Sequence, residues 1–162
     1  MSRTTLHLAK QNFKFSAAHF LIFDERSAER LHGHNYRVRV DLEISPSVDM
    51  GVSGFSVDFQ VFKEAIKARL DQWDEIILLP GRHPDMMLTE EGTSLQVRFR
   101  DRYYVFPANE VVILPVTNTS VESLSRLLAE EWAEQFRRFG VCGVSVFVEE
   151  TDGQGASFSI SL

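Results

Sequence analysis

Residues 31–44 read LHGHNYRVRVDLEI and carry the clearest secondary-structure signal in the chain. From Asn35 to Ile44, apolar side chains at even positions alternate with polar or charged side chains at odd positions. Successive side chains of a β-strand point to opposite faces of the sheet, so this alternation predicts a half-buried strand over Asn35–Ile44. His32 and His34 precede it two residues apart, a spacing that places both imidazoles on one face.

Further strands are predicted on both sides of this one. Residues 5–19 predict an extended strand with Phe13 and Phe15 on one face, and the polar residues 23–30 predict a loop. Residues 94–100 and 103–106 predict a small hairpin around Asp101-Arg102. The remaining candidate strands are short runs at 76–80, 111–114, 144–148 and 157–162, the last two joined by a turn at 152–155.

Two segments have the spacing of amphipathic helices, with apolar residues three or four apart over about 58–73 and 120–139. Asp58 is a candidate N-cap of the first helix. The pattern Thr119-x-x-Glu122 predicts a capping box at the start of the second helix, which makes Glu122 a capping residue. Two strands, two helices and two further strands favour an α+β fold with a mostly antiparallel sheet and helices on one face.

The composition is that of an ordinary soluble domain. The chain has 162 residues, of which 44% are hydrophobic and 25% charged, and this length predicts a single domain over residues 1–162. A net charge of −6 argues against a nucleic-acid binder. One cysteine, Cys142, excludes an intramolecular disulfide. No apolar run approaches the ~18 residues that a membrane span needs, so we expect a cytoplasmic protein without a membrane partner.

Three of the five histidines, His19, His32 and His34, precede residue 35. Pairing of the first predicted strand with the second would bring His19 close to the other two. Three neutral imidazoles on a rigid sheet are a ligand set for catalytic zinc, with a fourth position left open. The alternatives are surface or core histidines without a metal, and a cupin site, which needs a glutamate where this chain has Val38 and Arg39.

Five motifs along the chain carry a family resemblance. They are Phe15-Ser-Ala-Ala-His19, Leu31-His-Gly-His-Asn-Tyr36, Val57-Asp58-Phe59, Asn118-Thr-Ser-Val-Glu122 and Val146-Phe-Val-Glu-Glu-Thr151. Together, and in this order, they resemble the 6-pyruvoyltetrahydropterin synthase family over nearly the whole chain. That family includes the 6-carboxytetrahydropterin synthases of the queuosine pathway.

The resemblance implies a tunnelling fold (T-fold), in which a four-stranded antiparallel sheet carries two helices on one face. Such chains assemble into homotrimers and usually hexamers, with active sites at subunit interfaces. The resemblance also implies that the three histidines bind Zn²⁺ and that Glu150 holds the pterin ring, with Thr119 and Ser120 near the pterin. A carboxylate suits that task because it can accept hydrogen bonds from the ring's 2-amino group and N3–H.

The loop before His32 lacks the cysteine that acts as a base in the animal enzymes and in the queuosine branch. Glu29-Arg-Leu-His-Gly-His-Asn-Tyr36 resembles instead the type III branch, in which a glutamate takes the place of that cysteine. That branch is associated with cleavage of 7,8-dihydroneopterin triphosphate to 6-hydroxymethyl-7,8-dihydropterin, a folate precursor. By this resemblance, Glu29 would be the general base that removes the 2′-hydroxyl proton in a retro-aldol cleavage.

The family's Asp–His pair after the first helix, which assists proton transfer, corresponds to Asp74-Glu75 in this chain. We expect Asp74 and Glu75 to assist as acid–base groups. The leading hypothesis is therefore a zinc-dependent pterin lyase that acts on 7,8-dihydroneopterin triphosphate or a less phosphorylated form, most simply by retro-aldol cleavage. The alternatives are 6-pyruvoyl- or 6-carboxytetrahydropterin synthase activity, and a pterin- or zinc-binding module without catalysis.

Overall fold

The structure, a computed structural model, describes residues 3–48, 51–55 and 57–162. Its two α-helices are α1 (Phe59–Asp71) and α2 (Val121–Phe136). The strands, in chain order, are β1 (Thr4–Leu8), β2 (Lys14–His19), β3 (His32–Ile44), β4 (Ile76–Pro80), β5 (Met86–Glu91), β6 (Ser94–Phe99), β7 (Arg102–Pro107), β8 (Val111–Leu114), β9 (Val141–Thr151) and β10 (Gln154–Ser161). No helix in these described ranges is long and apolar enough to cross a membrane.

The main sheet has seven strands in the order β10-β9-β3-β2-β4-β8, with β1 pairing additionally with β3. The strands β10, β9, β3 and β2 form the antiparallel part that the resemblance implies. However, β2 pairs in parallel with β4, and β4 pairs in parallel with β8, so the sheet is mixed. The expectation of a simple four-stranded antiparallel sheet is therefore wrong. Short apolar runs such as 76–80 give no sequence signal of partner or direction.

The predicted first strand over residues 5–19 is in fact two strands that pair with opposite ends of β3. β1 lies beside the end of β3, with Thr4 opposite Ile44, and β2 lies beside its start, with His19 opposite His32. A turn separates them, closed where Phe13 N donates to Lys10 O at 2.9 Å. The strand β3 is longer than predicted because it begins at His32.

Both helices pack in one apolar core with the sheet. The ring of Phe62 in α1 contacts that of Phe136 in α2 edge-on, with centroids 5.0 Å apart. On the sheet side, Tyr36, Val38 and Val40 of β3 are buried, as their alternation predicts. A core built on two helices excludes the β-sandwich of the cupin alternative.

The helix caps confirm one prediction and correct another. Asp58 caps α1, since its side chain accepts a hydrogen bond from Gln60 N. The N-cap of α2 is Ser120 and not Thr119, because the Ser120 side chain accepts from Ser123 N. The predicted capping box of Thr119 and Glu122 is therefore wrong by one residue, and Glu122 lies in the first turn of the helix.

The predicted hairpin is part of a separate three-stranded antiparallel sheet, β5-β6-β7, which we call the small sheet. Its inner face forms a second apolar cluster together with Leu79 of β4 and two residues that follow β2, Phe20 and Ile22. The small sheet therefore packs beside the segment between β2 and β3.

Candidate metal centre

Two neighbouring strands position the three predicted histidine ligands. His19 ends β2, while His32 and His34 lie at the start of β3, and the antiparallel register places His19 directly opposite His32. One ligand atom from each imidazole lies within 4.8 Å of the others. The grouping that the sequence predicted is therefore present in the structure.

Backbone carbonyls orient two of the three rings. His19 Nδ1 donates to Thr119 O at 2.9 Å, and His32 Nδ1 donates to Arg30 O at 2.7 Å. Because a carbonyl oxygen only accepts, the proton sits on Nδ1 in both rings and Nε2 keeps its lone pair. The Nε2 atoms of His32 and His34 are 3.0 Å apart. The hydrogen bonds from the two Nδ1 atoms to carbonyls are of the kind that fixes the orientation of a metal-binding imidazole.

His19 is fully buried, and its Nε2 has no hydrogen-bond partner among the described residues. Burial lowers the pKa of His19 from 6.5 to about 4, which keeps the ring neutral. A buried polar atom without a hydrogen-bond partner is costly in free energy. A metal ion would serve as the partner of His19 Nε2, because an imidazole binds a metal only in its neutral form. The three residues therefore fit a zinc ion, with a fourth position left for water or substrate.

The structure places Glu29 beside this centre. Its Oε2 lies 3.5 Å from His32 Nε2 and accepts a hydrogen bond from Leu21 N at 3.0 Å. The side chain is 30% exposed, so a substrate can reach it. The arrangement puts a carboxylate within reach of a molecule bound at the open metal position.

Glu150 lies near the end of β9, the strand that flanks β3 on the edge opposite to β2. Its Oε2 lies 3.8 Å from His34 Nε2, and its Oε1 accepts from Gln154 Nε2 at 2.6 Å. Glu150 and His34 line a cavity of about 400 Å³. The neighbouring Glu149 is held differently, because its Oε1 accepts from Gly153 N at 2.9 Å.

Thr119 and Ser120 lie where the second helix meets His19. Thr119 is fully buried, and besides its carbonyl contact its Oγ1 lies 3.3 Å from His19 Nδ1. Ser120 caps α2. Both residues thus hold the ligand His19 and the helix beside it, and their contact with a pterin stays a prediction.

Asp74 and Glu75 lie beside Ser16, three residues before His19. Asp74 Oδ1 accepts from Ser16 N at 2.7 Å, and Glu75 N donates to Ser16 O at 2.7 Å. Within the described part of the chain, no hydrogen bond or ion pair joins either carboxylate to the three histidines. Glu75 has a left-handed backbone with φ 56°, and it lines, together with His34, another cavity of about 350 Å³.

Tyr36 was not predicted as a site residue, because its place in the alternation of β3 is that of an ordinary core position. The spacing could have indicated it, since Tyr36 lies two residues after His34 and therefore on the same face of the strand. Its ring packs edge-on against His34 and His19, at centroid distances of 5.6 and 5.9 Å. Its hydroxyl is buried without a hydrogen-bond partner among the described residues. Burial raises the pKa of Tyr36 far above its usual range, so the hydroxyl stays protonated.

A scan of known families matches residues 8–160 to the model of 6-pyruvoyl tetrahydropterin synthase. A protein of Methanocaldococcus jannaschii named as a 6-carboxy-5,6,7,8-tetrahydropterin synthase is 28% identical over 148 residues, 90% of this chain and 88% of that protein. A Pyrococcus abyssi protein with the same name is 30% identical over 122 residues, 75% of this chain and 70% of its own length.

Among solved structures, 6-pyruvoyl tetrahydropterin synthase from Plasmodium vivax superposes with a TM-score of 0.88 and 24% identity, covering 100% of both chains. Another structure of that enzyme, with the same TM-score, is of a variant in which a catalytic glutamate is replaced by alanine. At this identity the superposition establishes a shared fold.

Proposed function

Because this chain belongs to the 6-pyruvoyl tetrahydropterin synthase family, we propose that it is a zinc-dependent lyase acting on the side chain of 7,8-dihydroneopterin triphosphate or a less phosphorylated form. The observation that carries the proposal is the position of Glu29 next to three histidines whose geometry suits zinc. A metal position left open beside a carboxylate base is the minimum that proton removal from a bound hydroxyl requires.

Zinc bound by His19, His32 and His34 would supply a Lewis acid that orients the substrate's side-chain hydroxyls and lowers their pKa. The chain's own contribution begins with Glu29, the proposed base. The hydrogen bond from Leu21 N fixes Oε2 near His32, so the carboxylate is held before substrate arrives. The Plasmodium vivax enzyme also has a catalytic glutamate, which supports this role for Glu29.

Glu150 is the proposed anchor of the pterin ring. Its carboxylate is almost buried, with 8% of the side chain exposed, and lies on the cavity that reaches His34. Charge-assisted hydrogen bonds to the 2-amino group and N3–H would fix the ring and direct its side chain toward the metal. Thr119 and Ser120 are proposed to border the same pterin.

Asp74 and Glu75 are proposed to assist proton transfer from a neighbouring subunit. In one subunit they lie beside Ser16, and among the described residues no hydrogen bond or ion pair joins their carboxylates to the histidines, although Glu75 and His34 line one cavity. A homotrimer or hexamer with active sites between subunits would bring these carboxylates to the metal centre of another copy. The oligomer is therefore part of the proposal.

The comparisons favour a tetrahydropterin synthase product over 6-hydroxymethyl-7,8-dihydropterin. The relatives from Methanocaldococcus jannaschii and Pyrococcus abyssi are named as 6-carboxytetrahydropterin synthases. Retro-aldol cleavage to 6-hydroxymethyl-7,8-dihydropterin is the second candidate. A carboxylate stands beside the metal centre, and the single cysteine, Cys142, is remote in sequence from the loop before His32.

Mass spectrometry of the products distinguishes these candidates. Zinc-loaded protein is incubated with 7,8-dihydroneopterin triphosphate, alongside Glu29→Ala and, as a matched control, Glu25→Ala at an exposed position of the same loop. We expect product from the wild type and Glu25→Ala, and a loss of at least about 100-fold in Glu29→Ala. A 6-carboxy or 6-pyruvoyl product selects the first candidate, and a 6-hydroxymethyl product selects the second. Unchanged substrate that remains bound would overturn the enzyme proposal in favour of a binding module.

A further inference from the structure

The segment that carries Glu29, residues 20–31, folds back on itself; we call it the Glu29 loop. Inside it, Glu29 N donates to Leu21 O at 2.8 Å, and Phe23 N donates to Ser27 O at 3.0 Å. An isolated β-bridge between Ile22 and Ala28 also joins its two sides. Asp24 Oδ1 closes the tip of the loop by accepting from Arg26 N and Ser27 N at 2.7 and 2.8 Å. From outside, Asn118 binds both backbone groups of Ile22, and the contacts described next hold the side of the loop that carries Glu29.

The small sheet provides the contact nearest to Glu29. Arg102, the first residue of β7, donates from Nη1 to Glu29 O and from Nη2 to Ala28 O at 3.0 Å. The planar guanidinium thus donates from two separate nitrogens to two consecutive carbonyls, which a lysine ammonium, with its single nitrogen, cannot do. The same group lies over the rings of Phe20 and Phe99, with its central carbon 5.6 and 5.8 Å from their centroids.

Arg100 makes a second attachment farther along the loop. Its Nη2 donates to Asp24 O at 2.6 Å, and its Nε donates to Asp85 Oδ2 at 2.8 Å. Arg100 also has a left-handed backbone, with φ 56°, at the turn between β6 and β7. A residue other than glycine is strained in this region, so the surrounding contacts must hold it there.

The three arginines at 98, 100 and 102 do not share a face, although their spacing by two would place them together on one continuous strand. The turn at 100–101 reverses the chain, so that Phe99 pairs with Arg102 and Arg98 pairs with Tyr103. Arg98 is exposed and stacks over Tyr103 at 4.3 Å. Arg98 is therefore a control of the same residue type, in the same sheet, without contact to the Glu29 loop.

We propose that Arg102 is a positioning residue that holds the Glu29 carboxylate at the metal centre by gripping the carbonyls of Ala28 and Glu29. The inference rests on the proposed role of Glu29 as the base and adds what fixes that base in place. Arg102 touches neither the histidines nor, by this proposal, the substrate. Arg102 affects the reaction only indirectly, because it holds the backbone of the Glu29 loop and thereby the position of the Glu29 carboxylate. Through this contact the small sheet influences the catalytic step.

The first test needs no turnover. Amide hydrogen exchange of the full-length, zinc-loaded protein is followed by mass spectrometry in the wild type, Arg102→Ala, Arg102→Lys and Arg98→Ala. We expect exchange in residues 20–31 to become at least tenfold faster in Arg102→Ala and to stay at the wild-type rate in Arg98→Ala. A lysine ammonium acts as a point charge and cannot reproduce the two-nitrogen contact, so the exchange rate of Arg102→Lys should lie between those of Arg102→Ala and the wild type. This variant provides the readout if Arg102→Ala folds poorly. Wild-type exchange in both Arg102 variants would overturn the proposal.

The second test uses the reaction. We expect kcat of Arg102→Ala to fall by about 100-fold, the scale of a 1 Å misplacement, with KM and zinc content near those of the wild type. In a Glu29→Gln background, Arg102→Ala should cause no further loss of the residual rate, because the group it positions is already gone. An undiminished loss in that background would show a role unconnected with Glu29. If the wild type forms no pterin product, the proposed function fails, and the exchange measurement still reports on the loop.

Discussion

His19, the last residue of β2, differs from the other two histidines of the candidate metal centre because it is fully buried, next to the start of α2. Its ring is fixed by a carbonyl from Thr119, a residue 100 positions away in the chain. The spacing of His32 and His34 made the grouping of these two candidate ligands predictable, because side chains two apart on a strand share a face. The Thr119 contact could not be predicted, since a backbone carbonyl leaves no mark in the sequence.

Replacing Glu150 by glutamine tests the proposed ring anchor. The exchange keeps the shape but replaces one acceptor oxygen by an NH2 donor, so one of the two hydrogen bonds to the pterin is lost and the other becomes a weaker neutral one. We expect the affinity for 7,8-dihydroneopterin to fall by about tenfold in a fluorescence titration. Glu149→Gln is the matched control, because that carboxylate is used on Gly153 N. Equal affinities of the two variants would argue against Glu150 as the anchor.

The start of α2 gives a prediction about stability. Because the Ser120 side chain caps the helix, Ser120→Ala should lower the free energy of unfolding by about 1 kcal/mol. Glu122 contributes only its charge in the first turn, so Glu122→Ala should cost about 0.3 kcal/mol. Urea unfolding of both variants measures the difference. A larger loss in Glu122→Ala would restore the capping box that the sequence predicts.

The elements that the sequence predicted well are those with a long periodic pattern. α1 begins after Asp58 as expected, and β3 shows the expected alternation of buried and exposed residues. The break between β1 and β2 was missed because the turn at 11–12 contains neither glycine nor proline, and its one turn-favouring residue, Asn12, fits the polar face of a continuous strand equally well. The parallel pairing of β4 depends on contacts distant in sequence, which a five-residue apolar run does not encode.

The candidate catalytic carboxylates lie in two separate groups, and this separation allows a test of whether the active site is shared between subunits. Glu29 lies at the metal centre, whereas Asp74 and Glu75 lie beside Ser16. If a site combines them from different subunits, Glu29→Ala and Glu75→Gln should each be inactive alone. Co-assembly of the two variants after mild dissociation should then recover part of the activity. No recovery in mixed oligomers, or full activity of Glu75→Gln alone, would contradict an active site shared between subunits.

All of these functional proposals require that the three histidines hold a metal. Zinc content per chain, measured by inductively coupled plasma mass spectrometry after dialysis, is therefore the most direct measurement. We expect one zinc ion per chain in the wild type and in His7→Ala, because His7 lies elsewhere and bonds to Asp41. His32→Ala should retain almost none. A wild type without zinc, or a His32→Ala variant that holds as much as the wild type, would contradict the metal centre.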